Sequence, residues 1–446
     1  MTTATQSNRP ALIQAIIDAF KLSDLRSRIL FTLFILVVFR FFAHVPVPGV
    51  DKEALQSAFD ANPLLGFIDI FSGGALRNMS IAALGVYPYI TASIIIQILT
   101  PLLPQLKELA QEGEAGRKAI NRYTHYLTVP LAFLQGYGQI NLFSGALGQG
   151  ALSNVGFGGG NSLNTLAILL SMTAGTMILV WLGELVTEKG IGNGISLIIF
   201  SGIVAEIPRA LVTTFELGRT GAISTLMIIF IFILLVVTIL FIVFMERALR
   251  KILINYPKRQ MGNKMYGGES SHLPLKINSA GVIPAIFASA LLLLPVTFSN
   301  FNVSQSETFL NISSYFSQGQ PLYMILYASG IIFFTFFYTS ITFNPTETAE
   351  NLRKYGGFIP GIRPGESTAI FLDTILTRLT SIGALYLTLV CLMPEFLIAN
   401  YPIPFYLGGT SILIVVVVAM DTVTQVQTRL MSSQYESFIK KTKFGK

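Results

Sequence analysis

"LGVYPYITASIIIQILTPLLP", residues 84–104, is an apolar segment that polar side chains interrupt at intervals. It is long enough for a helix that crosses a bilayer, which needs ~20 residues. It nevertheless carries Tyr87, Thr91, Ser93 and Gln97. A helix surrounded only by lipid gains nothing from such groups, because hydrocarbon offers no partner for their hydrogen bonds. The segment therefore predicts a membrane helix with one face directed at something other than lipid.

The composition of the whole chain supports a membrane protein. Of its 446 residues, 52% are hydrophobic and only 12% are charged, and the mean hydropathy is +0.63. A soluble chain carries ~25% charged residues, so this one has about half the charge that would coat a globule in water. Its single cysteine, Cys391, permits no intramolecular disulfide and leaves the redox compartment open.

Apolar runs of spanning length predict an all-α polytopic membrane protein with about ten transmembrane helices. The fifth run is the least certain, because it is short and rich in glycine. The predicted spans lie near 29–45, 80–100, 123–140, 163–183, 194–207, 224–245, 278–296, 321–342, 379–394 and 405–421.

The basic residues test this list independently. Alternate connections hold 25 of the 30 Lys and Arg residues, including a first basic loop (246–277) and a second basic loop (343–378). Because basic residues gather on the cytoplasmic side, both termini are expected to be cytoplasmic. An odd number of spans could not produce this alternation with both basic termini on one side.

Ten spans divide into two sets of five, so related halves would enter the membrane in opposite orientations. We expect halves at 29–215 and 216–425, followed by a basic cytoplasmic tail at 426–446. No residue-level similarity between the halves supports the repeat, which rests on topology alone. The N-terminal segment 1–28 has apolar residues at helical spacing. It is either an interfacial amphipathic helix or a helix that packs on its own protein.

The chain offers little of the chemistry that an enzyme or an ion-coupled transporter needs. The three histidines lie at span ends or in loops: His44, His125 and His272. No Cys/His cluster suggests a metal site or a catalytic residue. The acids Glu184, Glu246 and Asp421 lie at predicted span ends and none is expected mid-span, which argues against the alternative of an ion-coupled secondary transporter. "GIGNGI" (190–195) follows no strand and favours a turn for close helix approach over a phosphate loop.

Residues 62–80, "NPLLGFIDIFSGGALRNMS", are apolar up to Phe71, break at Gly73 and Gly74, and are too short to span. They fit a re-entrant element in a cavity, because irregular backbone at membrane depth must be enclosed by protein. A loop on the outer surface is the other interpretation and is favoured on length alone.

Both basic loops are unusually long for connections between spans, and Gly and Pro shape the second around Arg363. A protruding basic loop suits an acidic partner such as RNA phosphate. Topology signalling and contact with anionic lipid would also explain the charge.

Several long motifs together resemble the SecY family of protein-translocation channels. They are "FSGGAL", "PYITASIIIQIL", "GIGNGIS", "LPLKINSAGVIPAIFAS", "FNPTETAENLRKYGGFIPGIRPGE", "TRLTSIGALYL" and "PFYLGGTS". The resemblance runs from about residue 20 to the end. It implies two inverted halves around a central pore, with a re-entrant plug helix near 64–79. It also implies a function: polypeptides cross through the centre or leave sideways into lipid.

The resemblance assigns roles to particular residues. The pore ring falls on Val86, Ile90, Ile195, Ile199, Ile286 and Ile414; without the resemblance these would be interpreted as packing residues. The plug includes Leu65, Phe67, Ile68, Ile70, Phe71, Gly73 and Gly74. The lateral gate includes Thr91, Ser93, Gln97, Ser289 and Leu294. The cytoplasmic partner contact includes Arg363, Lys258, Arg259 and Lys264.

Two positions depart from the family pattern. Val86 stands where isoleucine is common, which should leave the ring slightly wider there. Asn263 stands where a second basic residue is common, so the first basic loop has less charge for the expected partner contact than the family pattern implies.

The resemblance also implies partners and a location in the bacterial inner membrane. The expected partners are the SecE and SecG subunits, the SecA motor, the ribosome with its nascent chain, the unfolded preprotein with its signal peptide, the lipid bilayer, YidC and SecDF. No cofactor is expected, and the driving energy would come from the motor or from protein synthesis.

The topology can be tested with reporter fusions after Gly150 and after Gln318. Both reporters should behave as exported, because each would follow an odd number of spans from a cytoplasmic terminus. A cytoplasmic readout at either position contradicts ten spans.

Overall fold

A computed structural model describes residues 20, 22–47, 75–76, 78–147, 162–221, 223–256, 259–261, 264–266, 270–299, 320–400 and 409–443. The helices are α1 (Ser23–Phe42), α2 (Tyr87–Leu102), α3 (Pro104–Gln111), α4 (Glu114–Leu147), α5 (Ser162–Lys189), α6 (Gly194–Arg219), α7 (Thr225–Arg247), α8 (Ile283–Ser299), α9 (Pro321–Thr342), α10 (Pro345–Lys354), α11 (Glu366–Asn400) and α12 (Gly409–Lys443). The strands, between α7 and α8, are β1 (Leu249–Asn255), β2 (Arg259–Met261), β3 (Lys264–Tyr266) and β4 (Ser270–Lys276).

The helical membrane fold predicted from the sequence is confirmed, and each of the ten predicted spans overlaps one of these helices. Within the described ranges, six helical segments are long and apolar enough to cross a membrane, or seven if α2 and α3 form one bent span. The exact count of ten stays a prediction. The fifth predicted span, 194–207, was the least certain; it corresponds to α6, which continues to Arg219.

Pro104 fixes where α2 ends and where α3 begins. Leu103 has the extended backbone (φ −100°, ψ 117°) that a following proline imposes, and Pro104 then begins α3 at 98° to α2. The start of α2 differs from the prediction. The helix begins at Tyr87, and most of residues 80–86 form turns instead of the predicted first part of the span.

The described residues form two units. Unit 1 comprises residues 1–209 and 418–446, and unit 2 comprises residues 210–417, so each boundary falls inside a helix, α6 or α12. The predicted halves at 29–215 and 216–425 stay a prediction as domain boundaries.

The core of unit 1 joins α4 and α5 to the segment that precedes α2. Its buried members are Val47, Leu76, Met79, Ala83, Leu84, Ala132, Ile140, Ile168, Leu169 and Met172. Backbone hydrogen bonds hold the segment to the end of the first span: Val47 N donates to Met79 O at 2.9 Å, and Ile81 N donates to Val45 O at 3.0 Å. A Cβ on Gly175 of α5 would lie 2.0 Å from Ile81 O, so the close approach of these backbones requires glycine.

Unit 2 contains an antiparallel hairpin that the sequence analysis missed within the first basic loop. β1 pairs with β4 in the register Leu249↔Lys276 to Asn255↔Ser270, and β2 pairs with β3 at the tip. The sequence signal that could have predicted a strand is the pair of β-branched residues Ile252 and Ile254 at alternate positions, both of which are buried in β1.

The hairpin, the second basic loop and α11 share one apolar cluster, which we call the basic-side core. It consists of Ile252, Leu275, Ile359, Leu372, Ile375, Leu376 and Leu379. The backbones of Asn255 and Phe358 exchange two hydrogen bonds, of 2.9 and 3.0 Å. Both basic loops therefore belong to one packed body.

Candidate channel residues and partner-contact loops

Four of the six predicted ring residues lie in unit 1, at the starts of two helices. Val86 precedes the first turn of α2, and its carbonyl accepts from Ile90 N at 3.1 Å, which places the two side chains on one helix face. Both are buried. Ile195 and Ile199 share a face of α6 in the same way; Ile199 is buried and Ile195 is half-buried.

The loop before α6 is fixed by hydrogen bonds from three backbone amides. Ile191 N donates to Thr32 Oγ1 at 3.1 Å, Gly192 N to Gln425 Oε1 at 3.0 Å, and Gly194 N to Thr187 Oγ1 at 2.9 Å. These amides cannot at the same time bind a phosphate. The loop instead joins α1, α5 and α12 at the point where the ring-bearing helix begins.

Two glycines let α5 and α6 approach at that same point, as the sequence analysis expected of "GIGNGI". A Cβ on Gly194 would lie 1.8 Å from Gly183 O, and a Cβ on Gly183 would lie 2.9 Å from Ile195 Cγ1. No side chain fits between these backbones, so the position of Ile195 depends on both glycines.

The other two ring residues lie in unit 2. Ile286 is in the first turn of α8 and half-buried, and Ile414 is near the start of α12 and buried. Each of the six ring positions therefore lies at or near a helix N-terminus. That the six form one ring stays a prediction.

The polar side chains of α2 make contacts that the sequence did not reveal. Gln135 Nε2 of α4 donates to Thr91 Oγ1 at 3.3 Å, and both side chains are buried. Gln97 Nε2 donates to Ser93 Oγ of its own helix at 3.1 Å. Part of the polar face of α2 thus serves helix packing within unit 1.

A second polar group lies between α2, α4 and α5. Tyr89 OH donates to Asn121 Oδ1 at 3.3 Å, and Asn121 Nδ2 donates to Glu184 Oε1 at 2.7 Å. His125 Nε2 lies 3.2 Å from the same carboxylate oxygen. Glu184 therefore accepts from Asn121 and lies beside His125, so it contacts two side chains of α4.

The predicted gate residues of α8 are only partly described. Ser289 is buried and donates to Ile286 O at 2.8 Å, whereas the side chain of Leu294 lies outside the described residues. A Cβ on Gly330 of α9 would lie 3.3 Å from the Ala288 side chain. At least one small residue of α8 therefore packs inside unit 2.

The predicted plug residues, Leu65 to Gly74, lie outside the described residues. Of the five described residues that follow, Ala75, Leu76, Met79 and Ser80 have 0% exposure and Asn78 is half-buried. This end of the segment is buried in unit 1 and does not lie on the surface.

The partner-contact residues belong to the two basic loops. Arg363 is exposed on a turn between Gly361 (φ +84°) and Gly365 (φ +107°), and its carbonyl accepts from Thr368 Oγ1 at 2.8 Å. Ile362 packs against the basic-side core, which anchors the turn. Lys258 lies outside the described residues, and for Arg259 and Lys264 only the backbone, in β2 and β3, is described.

α11 buries one acid, Glu395, that the sequence did not indicate. The predicted ninth span ended at Pro394, but the helix continues to Asn400 and Glu395 is 3% exposed within it. Membrane helices tolerate proline because neighbouring groups satisfy the freed carbonyl. Among the residues that the structure describes, no group of three or more His, Cys, Asp or Glu could hold a metal ion.

These observations define a polytopic α-helical membrane protein with protruding basic loops, and the fold is that of protein-conducting channels. A solved structure of a protein conducting channel has a TM-score of 0.62 at 19% identity and covers 90% of this chain and 91% of its own. A structure of a SecY protein studied for its plug domain has a TM-score of 0.63 at 19% identity, with the same coverage.

The sequence comparisons identify the family. The SecY family model matches residues 80–423. Protein translocase subunit SecY of Rickettsia conorii is 51% identical over 94% of this chain and 97% of its own length. The Escherichia coli K12 subunit of the same name is 50% identical over 94% of this chain and 95% of its own. The chain belongs to the SecY family. The comparisons do not support the ion-coupled transporter alternative.

The contact between Gly183 and Gly194 predicts the effect of a single methyl group. Gly194→Ala should lower the free energy of unfolding by about 1–3 kcal/mol or more, because the Cβ would meet backbone atoms that cannot rotate away. Thermal unfolding in detergent measures the loss. The matched control is Gly136→Ala, whose Cβ would be 3.3 Å from the movable end of Leu169. Equal stability of the two variants would contradict the close approach.

Proposed function

We propose that this chain is the channel subunit of a bacterial protein translocase. It passes unfolded polypeptides across the inner membrane and releases hydrophobic segments sideways into lipid. The observation that carries the proposal is identity of about one half, over nearly the whole chain, to proteins named protein translocase subunit SecY. The fold shared with protein-conducting channels supports it.

The proposed mechanism is mechanical. All six ring residues are branched aliphatics, which bind neither water nor ions. Such a ring resists ion passage because a charge at membrane depth is expensive. It also admits a chain of any sequence, because apolar contacts have no direction. The plug segment would add to this seal at rest.

The proposed lateral-gate residues belong to α2 and to α8. Ser93, Gln97 and Ser289 carry the polar part of the proposed gate, while Thr91 is already bonded to Gln135. The bond to Gln135 gives Thr91, beside its proposed place in the gate, a second role in holding α2 to α4.

The basic loops are the proposed cytoplasmic docking surface for the SecA motor and the ribosome, with SecE and SecG as the companion subunits and both termini cytoplasmic. Two observations support this. Both loops pack on the basic-side core, so the turn that carries Arg363 is held in place by apolar contacts. A channel of similar fold, Sec61, has been solved in a canine ribosome–channel complex, with a TM-score of 0.58 and 17% identity.

The function is tested by reconstitution. Vesicles that contain this chain with its companion subunits should take up a signal-bearing preprotein when the motor and ATP are supplied. A preprotein without its signal sequence is the control. Vesicles that import neither substrate would refute the proposal.

Arg363→Glu should reduce export about tenfold or more while the protein remains folded, because the side chain is exposed and surface substitutions seldom affect stability. The motor-driven export rate and the thermal unfolding midpoint are the measurements. Lys354→Glu is the matched control, since Lys354 is exposed in the same loop and the charge change is identical. If both variants lose export equally, general charge and not Arg363 is responsible.

Deletion of residues 65–75 should raise the resting ion conductance of the channel in planar bilayers. The reason is that a short apolar element without a spanning role should occlude a cavity. Deletion of residues 2–12, at the N-terminus, controls for the loss of an equal length of chain. Unchanged conductance after the first deletion would contradict a sealing role for residues 65–75.

A further inference from the structure

A buried amide joins the base of the hairpin to the start of α8. Asn278 is 3% exposed. Its Nδ2 donates to Glu246 Oε1 at 2.5 Å and to Gly281 O at 3.1 Å. Glu246 belongs to the last turn of α7, and Gly281 (φ +63°) lies two residues before α8. One side chain therefore connects α7 to the turn that leads into α8.

The same point closes the hairpin. Ile277 N donates to Ala248 O at 3.2 Å, directly beyond the last strand pair, Leu249↔Lys276. A Cβ on Gly383 of α11 would lie 3.0 Å from Ile277 O, so α11 packs closely against this junction. The junction is held on one side by α7 and on another by α11.

A continuous series of contacts leads from the second basic loop to this junction. Phe358 pairs with Asn255 near the far end of β1, and the paired strands run from there back to Ala248 and Ile277. Asn278 follows at once, and α8 begins five residues later with Ile286 in its first turn. A displacement of the loops that carry Arg363 thus reaches α8 through the Asn278 bonds.

Asparagine suits this position because both of its N–H groups are used. One bonds a carboxylate and the other a carbonyl, both of which only accept. Aspartate would offer no donor and would bring a second carboxylate against Glu246. Leucine has a similar size but would leave both acceptors without this donor.

We infer that Asn278 is a positioning residue that couples the basic loops to the orientation of α8. The inference rests on the proposed function, in which α8 carries ring and gate residues. Asn278 touches no substrate in this role. Its bonds to Glu246 and Gly281 make the hairpin and the start of α8 move as one piece.

The test exchanges donor and acceptor. Asn278→Asp breaks both bonds, whereas the double variant Asn278→Asp with Glu246→Gln restores the bond to residue 246 with reversed polarity and unchanged net charge. Reconstituted vesicles give the maximal motor-driven export rate, a binding assay gives the Kd of the motor, and thermal unfolding gives stability. Ser279→Ala is the control, since this neighbouring hydroxyl donates to Lys276 O and not to Glu246 or Gly281.

The single variant should export about five- to tenfold more slowly with a motor Kd within about twofold of wild type. The double variant should recover to within about threefold, and Ser279→Ala should match wild type. A purely structural role would lower stability and leave the rate per folded channel unchanged. Export by Asn278→Asp at the wild-type rate, or a double variant as slow as the single one, overturns the inference.

Two further arms keep the test decisive. If Asn278→Asp cannot be purified, Glu246→Leu removes the acceptor without adding a carboxylate, and wild-type export by that variant overturns the inference. Wild-type vesicles must show motor-dependent export throughout. If they do not, the proposed function fails, independently of Asn278.

Discussion

Every polar group that this chain carries into the bilayer must find its partner inside the protein, because hydrocarbon supplies none. The helices meet this constraint largely by themselves. In the predicted spans 163–183 and 321–342, the buried hydroxyls of Thr173, Thr335 and Thr339 each donate to the carbonyl four residues earlier, at 2.6–2.8 Å. Burying a hydroxyl that is already hydrogen-bonded within its own helix costs little free energy. Spans that are apolar overall can therefore contain Ser and Thr residues. The few side chains that bond between helices, such as Gln135 and Asn278, then fix particular helix pairs.

Glycine provides the second means of fixing helix pairs. Gly175, Gly194 and Gly409 each lie where a Cβ would come within 2.5 Å of backbone atoms of another segment: Ile81, Gly183, and Val390 with Cys391 respectively. Close backbone packing replaces the hydrophobic driving force that is absent between helices in lipid. The segment before α2, the start of α6 and the start of α12 are all held in this way, and each adjoins a predicted ring residue.

The sequence predicted what depends on local pattern. The span at 321–342 coincides with α9 because Pro321 begins the helix and polar residues follow its end. The ninth span was predicted to end at Pro394, but α11 continues to Asn400 with that proline inside the helix, and a local pattern does not show which neighbouring groups accommodate it. The hairpin was missed because a basic loop between spans was assumed to lack structure. The contacts Gln135–Thr91 and Asn278–Glu246 join residues 44 and 32 positions apart, and no local pattern encodes such a pair. The ring assignment came from family resemblance alone, since its residues have the composition of any apolar core.

The proposed ring residues make apolar contacts, whereas the residues that position them make hydrogen bonds. The ring residues are aliphatic and make only non-directional contacts, so nothing in their own side chains determines where they lie. Directional bonds close to them must supply that precision. In unit 1, three amides of the loop 190–194 bond to Thr32, Thr187 and Gln425 immediately before Ile195. In unit 2, Asn278 bonds to Glu246 and Gly281 shortly before Ile286. If the proposed ring must tolerate any passing sequence, its residues are thus positioned by polar bonds near the start of each helix and not by their own side chains.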